Sequence, residues 1–331
     1  MKLPRRRFLR LAAGAAALSL PLVPPAAMAQ AYPARPIRLV VPFPPGGAFD
    51  FIGRPWADKM KSLLGTIVVE NIGGGGSSLG AANVVRANPD GYTLLLGGTQ
   101  THVNEALLKN RPLFDPVKDL DPITGIAAYF FAIVVNPAMP AQTLKEFIAY
   151  AKANPGKLSY GHAGVGTTQH LSGELFKSLT GTPEIVPVPY RGTGPVVADV
   201  VGGQIPLGIP GLTAQVLEFH RSGKLRILAV TSPARLPAAS DLPTAAEQGL
   251  PGMTAIGSVG LLAPAGTPRP IVDQIAQATR TAVAERMFRQ MLSEAAMEPV
   301  ADQSPEKFRQ MLADDVAQWA PVVKGLGLKI D

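Results

Sequence analysis

The sequence predicts an α/β protein of two lobes behind a removable N-terminal signal, and three observations lead there. The chain of 331 residues is too long for one ordinary core and suits two lobes of roughly 100–200 residues each. After residue 31 it alternates short apolar runs with amphipathic stretches, the pattern of strand–helix units on a mostly parallel sheet. Before that point the composition is different in kind. A hydrophobic content of 47% against 17% charged residues describes a globular chain rather than a disordered one.

The N-terminal stretch reads Arg5-Arg6-Arg7-Phe8-Leu9-Arg10, then an apolar run over residues 11–23, then Ala27-Met28-Ala29. A charged head, a short apolar segment and a small-x-small site specify export and removal. The Arg5-Arg6 pair with Phe8-Leu9 resembles a twin-arginine signal lacking the usual Ser or Thr, and the general export route stays open beside it. The apolar run is short for a membrane anchor. Cleavage is expected after Ala29 or Ala31, which places the mature chain in the periplasm. The signal also explains the formal charge of +7: Lys2, Arg5, Arg6, Arg7 and Arg10 face no acid, which leaves +2 for residues 32–331.

In the mature body Ile37–Val41 is the first strand, ended by Pro42. Residues 49–64 carry apolar positions at helical spacing and stop at Gly65. A strand at 66–70, the Gly73-Gly74-Gly75-Gly76-Ser77-Ser78 turn and a helix over 81–86 repeat the unit. The Asn88-Pro89-Asp90-Gly91 turn then delivers a strand at 92–96. Another strand is expected at 130–135, and Thr143 caps a helix over 144–153 that ends at Asn154-Pro155-Gly156. Strands at 159–161, 185–189, 205–209 and 226–230 follow, with helices opened by Thr167-Thr168 and over 195–201 between them. A strand at 258–263 carries the chain back, and helices at 270–285, 286–294 and 304–325 complete it. A helical tail without strands of its own must pack on a sheet already built. The first lobe is therefore expected to be discontinuous, residues 32–130 with 257–331, and the second to span 131–256.

Composition excludes several function classes. With no cysteine, disulfides, thiolate metal sites, thiol nucleophiles and a lipidated cysteine are ruled out. The four histidines, His102, His162, His170 and His220, share no helix face at ligand spacing, so no metal is expected. No basic stripe survives removal of the signal, which argues against nucleic acid. Gly74-Gly75-Gly76 with Gly80 follows the second strand rather than the first and departs from the dinucleotide spacing, and no phosphate-loop lysine follows it. A periplasmic hydrolase is the rival enzyme reading, but no G-x-S-x-G elbow is present. No cofactor is expected.

Strand-to-helix turns rich in glycine let main-chain N–H groups meet an anion at the positive end of a helix. Such turns recur at Pro44-Pro45-Gly46-Gly47, Gly97-Gly98-Thr99, Gly164-Val165-Gly166-Thr167-Thr168 and Gly192-Thr193-Gly194, and in open α/β sheets ligands sit where these turns are. Each turn taken alone reads equally as simple chain reversal. Thr167 and Thr168 read first as helix caps, His170 as a packed histidine, and Asp50 as a first-turn carboxylate that caps free amides, with ligand contact second. Phe43 and Phe49 suit either the core or the walls of a cleft for an acid with an apolar body.

Several motifs carry a resemblance over essentially the whole mature chain. They include Tyr32-Pro33-Ala34-Arg35-Pro36-Ile37, Val41-Pro42-Phe43-Pro44-Pro45-Gly46-Gly47 with Asp50 and Arg54, and Asn88-Pro89-Asp90-Gly91-Tyr92. His170-Leu171-Ser172-Gly173-Glu174, Val188-Pro189-Tyr190-Arg191-Gly192 and Leu262-Ala263-Pro264-Ala265-Gly266-Thr267-Pro268 extend the set. Together they resemble the Bug-type receptors of tripartite tricarboxylate transporters. The resemblance implies a type II periplasmic-binding-protein fold with a cleft between lobes, a small organic carboxylate as ligand, and the permease subunits of such a transporter as partner. It implies a monomer and no catalysis. It assigns carboxylate binding to the first-strand loop, with Phe43, Gly46, Gly47, Ala48, Phe49 and Asp50. Gly164, Gly166, Thr167, Thr168, Tyr190 and Gly192 come from the second lobe, and Thr99 lies at the rim. Pro206 and Pro210 stand where the family often has Asp, which points to a non-amino mono- or dicarboxylate, aromatic bodies included. A sensory receptor built on the same lobes is the alternative role.

Overall fold

The computed structural model describes residues 32–330, and the export signal expected over residues 1–31 lies outside the described residues. From Arg35 onward the chain forms one unit that holds two sheets. Its first section runs β1 (Ile37–Val41), α1 (Ala48–Met60), β2 (Ile67–Asn71), α2 (Ser78–Val85), β3 (Thr93–Gly98) and the short α3 (Thr99–Val103), and then β4 (Leu120–Phe130). The middle section runs β5 (Ala132–Val135), α4 (Leu144–Ala153), β6 (Ser159–His162), α5 (Thr168–Thr180), β7 (Val186–Pro189), α6 (Thr193–Val201), β8 (Leu207–Gly208), α7 (Ala214–Arg221) and β9 (Arg226–Val230). The last section is β10 (Ile256–Pro264), α8 (Arg269–Ala284), α9 (Arg286–Glu294), the two-residue β11 (Glu298–Pro299) and α10 (Pro305–Leu326).

The first sheet has the order β11-β4-β10-β3-β1-β2 and the second β7-β6-β8-β5-β9. The chain leaves the first sheet between Phe130 and Ala132 and returns to it at Ile256. Both sheets are mixed rather than mostly parallel. β1 pairs in parallel with β2 and β3, and β6 with β7 and β8, whereas β10 runs against β3 and β4, and β5 against β8 and β9. The antiparallel members are the strands that carry the chain between sheets, and they enter against the direction of the strand–helix units already there.

The strand expected at 130–135 is two strands in two sheets, with the break at Phe131, whose N–H is held by the Thr231 hydroxyl at 2.9 Å. The eleven-residue β4 was not legible because Asp121, Pro122 and Gly125 all disfavour strands. It forms because β10 pairs with it along its length through two irregularities, at Val259/Gly260 and Leu261/Leu262, where extra residues are absorbed as bulges. β11 extends that edge and interrupts a tail read as purely helical. Helix α7 was also missed; Thr213 starts it by accepting the Val216 N–H at 3.3 Å.

The helices hold the sheets by buried apolar faces. On α1, Phe49, Ile52, Trp56, Ala57 and Met60 face inward, and the Trp56 indole donates to Thr279 on α8 at 3.1 Å, which ties the first helix to the C-terminal section. Thr143, Thr167 and Ser304 cap α4, α5 and α10 through their hydroxyls, as short polar side chains before helices do. Backbone approach is tightest at the end of β3, where a Cβ on Gly98 would stand 1.9 Å from the Ser258 carbonyl oxygen of β10. Gly98→Ala is expected to lower the unfolding free energy by at least about 2 kcal/mol in denaturant titration, since neither strand can move without breaking its ladder. A change under about 0.5 kcal/mol would show that the two strands yield freely.

Candidate functional site

A pocket that opens to solvent lies where turns of the two sheets meet. Phe43, Pro44, Pro45, Gly47, Ala48 and Phe49 line it from the β1–α1 turn, Gln100 from α3 and Tyr129 from β4. From the second sheet come Ala163, Gln169 and the run Arg191-Gly192-Thr193-Gly194-Pro195. Two helices therefore begin at its wall, α1 at Ala48 and α6 at Thr193. The first-turn N–H groups of a helix have no acceptor within it. Neither Gly47 nor Gly192, the residues before these helices, supplies a side-chain cap. The wall thus carries two sets of main-chain donors with the positive end of a helix dipole behind each.

Two side chains add to this. Gln100 and Tyr129 are 4% and 3% exposed, and among the described residues the Gln100 Nε2 and Tyr129 hydroxyl have no hydrogen-bond partner. The Gln100 Oε1 is approached by the Thr168 hydroxyl at 3.5 Å, which leaves its amide nitrogen as the free end. Burial pushes the Tyr129 phenol up; the nearby Thr168 hydroxyl only softens this, and the charge of Asp315 adds to it. That Thr168 hydroxyl does not reach hydrogen-bond geometry with Tyr129, so the phenol stays a protonated donor. A buried donor left unpaired costs about 1–3 kcal/mol, and Gln100 and Tyr129 each carry one such atom, shut away from solvent.

The first turn is held from behind by a polar brace. Asp50 accepts the Gly46 N–H at 3.1 Å, the Arg54 Nε at 2.9 Å and the Asn71 Nδ2 at 3.0 Å, and Asn71 also donates to the Phe43 carbonyl at 2.9 Å. Burial alone would raise the Asp50 carboxyl, but the bonds from Arg54, Asn71 and Gly46 outweigh it and hold the group below its ordinary range. Asp50 is thus an ionised brace with its oxygens committed, and it does not line the cavity. Phe43 and Phe49 stand 4.9 Å apart, centroid to centroid, and Phe49 meets Tyr129 edge-on at 6.0 Å; both phenylalanines serve cavity wall and core together.

The second-sheet turn over residues 163–168 uses its amides internally. Gly164 donates to the His162 Nδ1 and Gly166 to the His170 Nδ1, each at 3.3 Å, while the Ala163 N–H is taken by Gln169 at 2.9 Å. The two imidazoles stack at 4.5 Å. Burial, then the neighbouring His170, lower the His162 pKa to about 4, and burial lowers His170 as well, so both rings stay neutral and can accept. Thr167 caps α5 and bonds the Gly164 carbonyl at 2.8 Å.

Of the residues expected at the site, Phe43, Gly47, Ala48, Phe49 and Gly192 line this cavity. Gly164 and Tyr190 line an adjoining open cleft that shares Phe43, Pro44, Pro45, Ala163, Arg191 and Gly192 with it. Gly46, Asp50, Gly166, Thr167 and Thr168 stand behind the walls. Thr99 is not at a rim but fully buried, bonded to Asp315 and to Ser258. Tyr129 and Gln169 were not expected there, whereas Thr193 lies in the Gly192-Thr193-Gly194 turn and Arg191 in the motif just before it. Gln100 follows a glycine pair at a strand end, the signal that flagged Thr99 one residue earlier, whereas nothing local marks Tyr129. The argument from Pro206 and Pro210 loses its footing, because both lie on backbone bonds to Asn136 and Ala132 and neither lines a cavity. The absence of acid from the walls stands on other ground: no Asp or Glu lines either space.

The fold is that of a periplasmic binding protein: the solved structure of the periplasmic binding protein BugD superposes with a TM-score of 0.85 at 33% identity, covering 90% of this chain and 99% of that one. More particularly, the chain belongs to the tripartite tricarboxylate transporter family receptors, whose family model matches residues 52–328. Protein BugT of Bordetella pertussis is 34% identical over 305 residues, 91% of this chain and 92% of that protein. Rpa4515 of R. palustris, solved with adipate, is 33% identical with a TM-score of 0.86, over 90% of this chain and 99% of that one.

The mostly buried Asp315 of α10 accepts from Thr99 and, at 2.9 Å, from Ser258. Burial raises its pKa from 3.8 to about 6 against those bonds. The folded state therefore holds its proton more tightly than the unfolded chain, and stability falls as pH rises through 6. Asp315→Asn is expected to raise stability by about 2 kcal/mol at pH 8 and by almost nothing at pH 4. Melting curves for both proteins across that range check it, and a pH-independent difference would contradict the buried acid.

Proposed function

We propose that this chain is an exported solute-binding protein that captures a small organic carboxylate and delivers it to the membrane subunits of a tripartite tricarboxylate transporter. In this reading the signal is removed after Ala29 or Ala31 and the mature protein acts in the periplasm as a monomer without catalysis. The two sheets with their helices act as two lobes, residues 32–130 with 257–331 and residues 131–256, which close on the ligand. Family membership supports the transporter, and the adipate held by Rpa4515 supports the ligand class.

The observation that carries the reading is the donor set of the cavity. The N-termini of α1 and α6 offer main-chain N–H groups at the wall, with Gln100 and Tyr129 among the lining residues, and a carboxylate offers only acceptors. With no acid on the wall, an ammonium group would find no counter-charge, which favours a non-amino acid as ligand. The phenyl and proline surfaces suit its apolar body.

A thermal-shift screen of aliphatic and aromatic carboxylates tests this. A binder at 100 times its Kd is expected to stabilise the protein by about 2.7 kcal/mol. Tyr129→Phe is expected to leave the ligand-free protein as stable or about 1 kcal/mol more stable, because it deletes an unpaired hydroxyl. The same change should weaken the best binder about 5- to 10-fold in calorimetry. A flat screen, or a variant that loses stability and keeps affinity, would contradict the proposal.

A further inference from the structure

We infer that Asn104 and Gly166 form the seat on which the two lobes close, which makes Asn104 a positioning residue for capture outside the pocket; the inference rests on reading the two sheets as lobes that close on a ligand. The turn before α5 lies against the first-sheet section at two places. A Cβ on Gly166 would collide with the Asn104 Oδ1 and stand 2.7 Å from the Ile330 Cδ1, and a Cβ on Gly76 would stand 2.8 Å from the Val165 carbonyl oxygen. Glycine at both positions lets the turn settle this deeply. Beside the pocket the approach is looser, with Gly192 3.5 Å from Pro44 and Gly211 3.8 Å from Ala48 on the same measure.

The socket is built by its own polar network. Asn104 is fully buried and opens a single π-helical turn, Asn104–Leu108. Its Nδ2 donates to the carbonyls of Gly75 at 2.8 Å and Gly76 at 3.2 Å and to the Ser78 hydroxyl at 2.9 Å. Ser78 in turn donates to Glu105, which takes the Leu113 N–H at 2.8 Å. Ile330 is tied in from the other side, donating to the Leu108 carbonyl at 2.9 Å and accepting from Asn110 at 3.0 Å. These bonds fix the Asn104 amide, yet its buried Oδ1 has no hydrogen-bond partner among the described residues. The Gly166 N–H does not serve it, because the His170 Nδ1 takes that donor at 3.3 Å. When the turn lifts away the oxygen meets water, and when the turn seats it gives that water up at a cost. The seat thus fits in shape and opposes closure in polarity, so that a guest between the lobes decides the balance.

Pulsed electron resonance on the full mature protein tests the assignment, with and without adipate. The chain has no cysteine, so spin labels at Val68→Cys and Val186→Cys, exposed positions on the edge strands β2 and β7, report the separation of the sheets. The labelled protein is expected to show a short-separation population that Gly166→Ala removes. Gly166 has φ +82°; Gly249→Ala, at φ +87° with open space around it, imposes similar strain and is expected to leave that population unchanged. Asn104→Ala added to Gly166→Ala is expected to restore it by making room for the new methyl. Because opening relieves the clash, Gly166→Ala is expected to lower the Tm by less than about twice the loss in Gly249→Ala. A larger loss, which marks a fixed packing contact, overturns the inference, as do unchanged separations in Gly166→Ala or no rescue by Asn104→Ala; the carboxylate site then still stands. Loss of the short population in a protein that the acid screen leaves unshifted supports the seat, and only the carboxylate reading falls.

Discussion

The structure turns on one electrostatic constraint: two helices from different sheets begin at the same small space, and the main-chain N–H groups at their starts find no acceptor among the described residues. Helix dipoles contribute modestly one at a time, about 0.3–1 kcal/mol when exposed and up to about 2 kcal/mol when partly buried. Their convergence beside the residues that line the cavity sets a preference for a negative guest. The rest of the molecule fixes where those donors point. The brace of Asp50, Arg54 and Asn71 sets the β1–α1 turn, and the Trp56–Thr279 bond anchors the helix behind it.

The glycine turns, alike in sequence, divide their labour. Those before α1 and α6 present amides to the cavity, while the turn before α5 satisfies its own with two histidine rings. That turn is a rigid support, and its neutral stacked imidazoles are the reason. Protonation of either ring would replace an acceptor with a donor, so burial, which keeps both pKa values low, is what keeps the support intact. Asp315 works in the opposite sense: burial raises its pKa to about 6, so it keeps a proton to higher pH than a free carboxyl and ionises only as the pH passes 6.

Much of this was legible in the chain because local chemistry decides it. Strands of Val and Leu ended by proline, threonine caps and glycine-rich turns placed β1, α4, α5 and β9 within a residue or so. β4 was not legible, since Asp121, Pro122 and Gly125 argue against a strand and only pairing with the distant β10 overrides them. The site divides in the same way. Gly47, Phe49 and Gly192 follow from turn chemistry. Tyr129 lies next to the end of β4, and it lines the cavity because the chain changes sheets two residues later, at Phe131. Asp50 and Thr99 were legible as polar residues at the right turns, but whether such a residue touches a ligand or braces its neighbours depends on partners far away in sequence, here Asn71 and Asp315.

Amide nuclear magnetic resonance during titration with a carboxylate tests the central claim most directly, because it reads each main-chain N–H separately. The account predicts large, saturable downfield shifts at Gly47, Ala48, Phe49, Thr193 and Gly194, with Gly164 and Gly166 nearly still. Large shifts at Gly164 and Gly166 with the helix-start amides unmoved would contradict it.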